Sequence, residues 1–304
     1  MAPHEQYPDI NVPLRSDYWD TQYFDEEKKA VKNFCTAKVL ADSIYRKNRI
    51  TSLELRYPRF IHSEFMTHRM FSRNASSSRA TPVATLVKQV TEDPAFFGVV
   101  GQNKPGMQAD IEIDTENFRK FQDEWKELAN ICAGYALRWS QEYNIHKQVA
   151  NRVLEPFMYM KTVVTATNWN NFFNLRLHKD AQPDIQDLAI AIYFAIKKSI
   201  PVETNTHLPY ISDEEQKEDI LKKYIMSTAR CARVSYLTFD NKVPTFEQDR
   251  KLFHKLVTSE PMHASPLEHV AIALEGIYDN FYGWCSLRNA ITCDKKFKEE
   301  LLLI

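Results

Sequence analysis

Polar and apolar positions alternate most clearly at residues 50–57. There Leu53, Leu55 and Tyr57 are separated by Glu54 and Arg56, and Ile50 and Thr51 add β-branched character. This pattern predicts a strand, ended by Pro58. The apolar-rich stretch 60–71 predicts a buried helix that delivers whatever follows it. Residues 91–117 mix Pro, Gly and acidic side chains and predict an irregular insertion centred on 102–108. After it, Phe118, Phe121, Trp125, Leu128, Cys132, Tyr135, Trp139 and Tyr143 recur at threes and fours. That spacing is one face of a long helix, and an aromatic stripe of this kind serves a core or a subunit interface. Residues 146–154 predict a second helix, stopped by Pro156. The stretch 185–200 is apolar nearly all round and predicts a buried helix. A charged linker or surface helix follows at 213–223. Thr245 and Gln248 have capping-box spacing and begin a helix that runs to Val257; Ser265 and Glu268 carry the same signature, with Pro266 at the first helical position. These elements predict an α+β fold, with long helices packed on a small mixed or antiparallel sheet. Residues 1–35 read as an N-terminal arm, and 36–304 as one domain.

Composition narrows the function classes. The 304 residues carry a net charge of −1, with 44% hydrophobic and 26% charged positions. That is ordinary for a soluble globular protein and supplies no global field for nucleic acid or an anionic membrane. The longest apolar run, 188–196, is too short to span a bilayer, and the first twenty residues lack a signal-peptide core. The expectation is a soluble, cytoplasmic protein with no nucleic-acid or membrane partner. The five cysteines are scattered without Cys-x-x-Cys spacing, which points to reduced thiols. None of the six glycines forms G-x-G-x-x-G or a phosphate loop, so a dinucleotide would be held without a Rossmann turn. His62, Glu64 and His68 lie close together but lack a zinc-type helical spacing, and no metal is expected.

The chemistry concentrates at 67–79. Three arginines (Arg69, Arg73, Arg79), His68 and four serines (Ser72, Ser76, Ser77, Ser78) fall within thirteen residues. Guanidinium forks, hydroxyls and backbone N–H groups in one short segment make an anion site. A solvated basic turn has the same composition, so the segment alone leaves both readings open.

This segment resembles the signature of the flavin-dependent thymidylate synthases, Arg-His-Arg, seven residues, then Ser. Here His68-Arg69 precedes Ser77 at that spacing, with Ser72, Asn74 and Arg79 also in register. Thr67 replaces the first Arg, and Ala75 replaces a Glu. Two further blocks resemble the same family. One is Asn171-Phe172-Phe173-Asn174-Leu175-Arg176 followed by Ala181-Gln182-Pro183-Asp184-Ile185. The other is Ala232-Arg233-Val234-Ser235-Tyr236 followed by His263-Ala264-Ser265-Pro266-Leu267-Glu268-His269. In the usual family member the last block comes first, so the resemblance implies a circular permutation.

The resemblance implies reductive methylation of dUMP at C5 with methylenetetrahydrofolate, FAD and NADPH, in a homotetramer whose sites draw on several subunits. It implies that His68 and Arg69 lie against the flavin. Arg176 meets the pyrimidine, making Arg176, Arg69 and His68 the catalytic set. Ser77, Ser78 and Arg79 hold the nucleotide phosphate, joined by Arg152 from a neighbouring subunit. Asn171, Ser235, Ser265 and Glu268 contact the flavin, and His263 its folate side. Glu64 stands where the family has Gln, and a carboxylate there would accept a hydrogen bond from the amine of a cytosine. Hydroxymethylation of dUMP or dCMP, or an inactive nucleotide-binding homologue, are the alternative readings.

Overall fold

The computed structural model describes residues 35–107, 111–234 and 244–304. Residues 1–34 of the expected N-terminal arm and Ser235 lie outside the described residues, as does Gln108 of the expected insertion, whereas Cys35 is buried in the core of the domain.

A hairpin opens the described chain, β1 (Thr36–Tyr45) antiparallel to β2 (Asn48–Pro58). The predicted strand is the inner part of β2, whose Ile50, Leu53, Leu55 and Tyr57 are fully buried. A 3₁₀ turn, Arg59–Ile61, leads into α1 (His62–Met66) and then β3 (Ser72–Ala75). The helix expected over 60–71 is therefore only five residues long. The Thr67 hydroxyl donates to the Glu64 carbonyl at 2.7 Å, and the chain then leaves the helix for the sheet. Next come α2 (Val83–Glu92), an irregular stretch, and α3 (Thr115–Gln141), the predicted long helix. Its inward face is Ala129, Ala133 and Ala136 rather than the aromatic stripe. Trp125, Cys132 and Trp139 flank that small-residue face, while Leu128, Tyr135 and Tyr143 are exposed.

The short α4 (Lys147–Ala150) runs into a 3₁₀ segment, Asn151–Phe157, and then β4 (Tyr159–Ala166). After α5 (Asn170–Arg176) comes α6 (Pro183–Lys198), which begins with Pro at the first turn and a Gln182 side chain accepting from the Ile185 amide. It buries Ile185, Leu188, Ala189 and Ile192 against the main sheet, as its all-round apolar pattern requires. With β5 (Val202–Glu203), that sheet runs β3-β4-β2-β1-β5; only the β1–β5 pair is parallel. A second sheet, β6-β7-β8, contains β6 (Thr206–His207), β7 (Ala271–Tyr278) and β8 (Phe281–Ser286). Before β7 lie α7 (Ile220–Ala232) and α8 (Phe246–Thr258), the latter carrying the full Thr245–Gln248 capping box. The chain ends with α9 (Leu287–Cys293) and α10 (Lys295–Leu303).

A buried polar chain ties the two sheets together. His207 bridges Ser43 and Ser52, Ser52 meets Thr165, and Thr165 meets His269. All five side chains are buried, and burial holds both imidazoles neutral, with pKa values lowered to about 3.

Candidate active site

The edge strand β3 organises the candidate residues. One side pairs with β4, Ser72 opposite Thr165 and Ala75 opposite Thr162; the other side meets the 3₁₀ turn Ser265–Glu268. Asn74 Nδ2 also donates to the Cys231 carbonyl at 2.8 Å. The first and third sequence blocks, separated by some 150 residues, are therefore neighbours. The expected cap at Ser265 does not form. The turn is headed by Ala264 without a side-chain cap, and Glu268 is drawn instead into an ion pair with Arg288.

At the Ala75 end of β3 lies a cavity of about 260 Å³, lined by Arg59, Arg79, Arg152, His62 and Ser76, Ser77 and Ser78. Its floor is shaped by backbone pairing. The Ser76 amide donates to the Lys161 carbonyl at 2.8 Å, and Ser77 Oγ accepts from the Arg79 amide at 3.3 Å. The fully buried Asn151 clamps the turn from below, donating to the carbonyls of Ser78 and Thr81 at 2.7 and 3.0 Å. Behind the cavity, the Glu155 carboxylate accepts from Ser78 Oγ, Arg152 and Arg59. His62 is stacked on Tyr57 and bonded to its hydroxyl at 2.9 Å. Burial, then Arg59 and Arg73, lower its pKa to about 4, so it is neutral near pH 7. The cavity is cationic through its arginines alone, and it suits a phosphate.

Just before β3, the Arg176 guanidinium at the end of α5 donates from Nε to His68 Nε2 at 2.9 Å and from Nη2 to Thr67 Oγ1 at 3.2 Å. Thr67, the departure from the family's Arg, thus serves as an acceptor for another arginine. Because Nε2 accepts, the neutral His68 carries its proton on Nδ1. Burial, then Arg176 and Arg73, lower its pKa to about 4. Phe172 meets the ring edge-on with centroids 4.8 Å apart, which fixes its plane. Nearby, Glu64 Oε2 is buried and makes no hydrogen bond among the described residues. Burial raises the Glu64 pKa against the pull of Arg176.

At the Ser72 end a larger cavity of about 690 Å³ is lined by Glu268, Asp279, Arg288, Asn289, Met262 and Phe281. Arg69, Asn171, His263 and Ser265 are exposed and line neither cavity. Sequence reasoning missed Arg59, Asn151 and Glu155. Apart from the neighbouring Arg152–Glu155 pair, their side-chain partners lie 70 to 101 positions away, and no local spacing signals those.

A family model described as "Thymidylate synthase complementing protein" matches residues 25–202, more than half of the chain. The chain belongs to this family, that of the flavin-dependent thymidylate synthases. The match takes in the first two blocks and ends before the third. Among solved structures, a UMP/dUMP methylase, PolB, of Streptomyces cacaoi aligns at 17% identity with a TM-score of 0.45, over 54% of this chain and 89% of its own. Thymidylate Synthase X from Helicobacter pylori, crystallised with FAD and dUMP, aligns at 17% identity with a TM-score of 0.33, over 48% of this chain and 67% of its own. A comparison with curated proteins finds no match. Among the described residues, no helix is long and apolar enough to cross a membrane.

Proposed function

We propose that this chain is a pyrimidine nucleotide C5-modifying enzyme that reductively methylates dUMP with FAD, methylenetetrahydrofolate and NADPH. The observation that carries this reading is the three-arginine, three-serine cavity beside Ala75, in a chain of this family. Ser77, Ser78, Arg79 and Arg152 hold the nucleotide phosphate there, with Arg152 drawn from the same chain as the serines rather than from a neighbouring subunit. Arg176 stabilises the negative charge that builds on a pyrimidine carbonyl as C5 becomes nucleophilic, and neutral His68 holds the guanidinium in line.

The residues around the larger cavity fit the edge of a flavin ring. Arg288 and Asn289 offer donors, Glu268 and Asp279 acceptors, and Met262 and Phe281 apolar walls. Arg69, Asn171, His263 and Ser265 join that side, as does Ser235, which lies outside the described residues. Bound flavin would supply the redox chemistry, and the protein supplies position and charge.

Successive strand residues face opposite sides, so Ser72 and Ala75 belong to opposite faces of β3, and neither cavity includes Arg176 or His68. This supports a site completed by other copies of the chain, in a homotetramer. The contact between β3 and the third block supports the reading that the block order arose by circular permutation.

A second reading, modification of dCMP or transfer of a hydroxymethyl group, is favoured by the buried Glu64 Oε2, which makes no hydrogen bond among the described residues. A carboxylate accepts from the exocyclic amine of cytosine, which uracil lacks. Mass spectrometry of the products from dUMP and dCMP, with all three co-reactants, separates the readings. dTMP formed from dUMP is expected. A hydroxymethyl product or dCMP turnover selects the second reading, and nucleotide binding without turnover selects an inactive homologue.

A further inference from the structure

The anion cavity has a component that neither sequence spacing nor the proposed reaction assigns. Glu155 does not line the cavity, yet three of the groups that do are bonded to its carboxylate. Oε1 accepts from Ser78 Oγ at 2.8 Å and from Arg152 Nη1 at 2.9 Å, and Oε2 pairs with Arg59 Nη2 at 3.1 Å. Arg59 is tethered a second time, Nη1 to Met160 Sδ at 2.9 Å, and its backbone amide donates to the Met158 carbonyl at 2.8 Å. Its side chain is 21% exposed and that of Glu155 20%, so both work in a partly desolvated setting where charge pairing counts. Arg152, 54% exposed on its own, has Glu155 as its fixed point.

Two guanidiniums bound to one carboxylate sit close enough to repel each other, and the carboxylate offsets that repulsion while fixing both forks. Three arginines line the cavity and one carboxylate backs it, which leaves two positive charges, the complement of a phosphate dianion. His62 adds none, being neutral.

We propose that Glu155 is the positioning residue of a phosphate-monoester seat in which Arg59, beside Arg79 and Arg152, contacts the ligand directly. The proposal rests on the anion-site reading above and narrows its ligand to a dianionic phosphate monoester. Glu155 acts from behind, through the arginines and Ser78, and does not touch the phosphate. Removing its charge adds positive charge to the seat. The change is therefore diagnostic: a seat governed by charge alone would bind phosphate more tightly, and a seat governed by orientation would bind it less tightly.

The test is calorimetric titration of the full chain with inorganic phosphate and, separately, with dUMP. For Glu155→Gln the expected result is about tenfold weaker binding of both ligands, with Glu155→Asp recovering part of the loss. Equal or tighter phosphate binding by Glu155→Gln overturns the proposal, as does a wild-type chain that binds neither ligand at millimolar concentration. If Glu155→Gln does not fold, Arg59→Lys decides. That variant keeps the charge and loses the fork, so weaker phosphate binding supports the proposal and unchanged binding overturns it. Phosphate bound without dUMP leaves the seat standing and removes the pyrimidine nucleotide reading instead.

Discussion

Arg176 Nε donates to His68 Nε2 over 2.9 Å, joining residues 108 positions apart. The contact links the first and second sequence blocks and sets both the tautomer of the histidine and the direction of the guanidinium. Replacing Arg176 by Lys removes the two-point geometry with Thr67 and His68. The expected outcome is about a hundredfold loss of turnover, measured as product per enzyme under saturating nucleotide. In Arg176→Gln, which removes the neighbouring cation, His68 should also titrate at higher pH, as followed by NMR. The rise stops short of an ordinary histidine because burial is the larger cause.

The phosphate seat predicts a graded loss. Ser77→Ala removes one neutral hydroxyl and should raise the KM for dUMP about tenfold. Arg79→Ala removes a charged fork and should raise it about a hundredfold. Steady-state kinetics on both variants checks the order. Equal effects of the two would show that Arg79, which is exposed, does not face the ligand.

The dCMP reading predicts that Glu64 selects the pyrimidine edge. Glu64→Gln supplies both a donor and an acceptor where the native side chain is a carboxyl group. The ratio of dUMP to dCMP turnover should rise in the variant, as measured by product chromatography in mixed-substrate reactions. An unchanged ratio would remove Glu64 from the specificity argument.

The buried chain between the sheets predicts acid sensitivity. His207 and His269 have pKa values near 3 in the folded protein and near 6.5 when unfolded, so the unfolded state binds more protons between those limits. Stability is therefore full above about pH 6.5 and falls as the pH drops toward 3. Urea unfolding from pH 7 to pH 4 tests this. Thr165→Val, which leaves Ser52 and His269 short of a partner, should lower stability at pH 7 by about 1–3 kcal/mol.

Much of the helical structure was legible from spacing and caps. The Thr245–Gln248 box starts α8 as expected, and the apolar run within α6 is buried as its all-round pattern requires. Strand β1 was not legible. A register shift between Val39 and Ala41 breaks its alternation, and the inward-facing side of its second half includes the ion-paired Asp42. Strand β3 was also hidden. Ser-Arg-Asn-Ala has no apolar pattern, and the strand exists because β4 offers an edge. The stripe on α3 is met in part: Trp125, Cys132 and Trp139 pack beside the alanines that form the inward face, while Leu128, Tyr135 and Tyr143 are exposed.

The candidate site divides in the same way. Residues 67–79 announced an anion site through composition, and the cavity beside Ala75 is lined by Ser77, Ser78 and Arg79 from that stretch. Arg59 and Glu155 could not be read from sequence, because an isolated Arg and an isolated Glu carry no signal until folding pairs them. Ser265 and Glu268 show the converse. Their capping signature was clear, yet Arg288 takes the carboxylate.

The central claim is that this chain joins nucleotide and flavin in one functional site. The most direct measurement is the visible absorbance spectrum of the purified protein supplied with FAD, recorded before and after adding dUMP. The account predicts an oxidised-flavin spectrum that shifts when dUMP binds, with the shift reduced in Arg79→Ala. A protein that retains no flavin, or a flavin spectrum indifferent to dUMP, would contradict it.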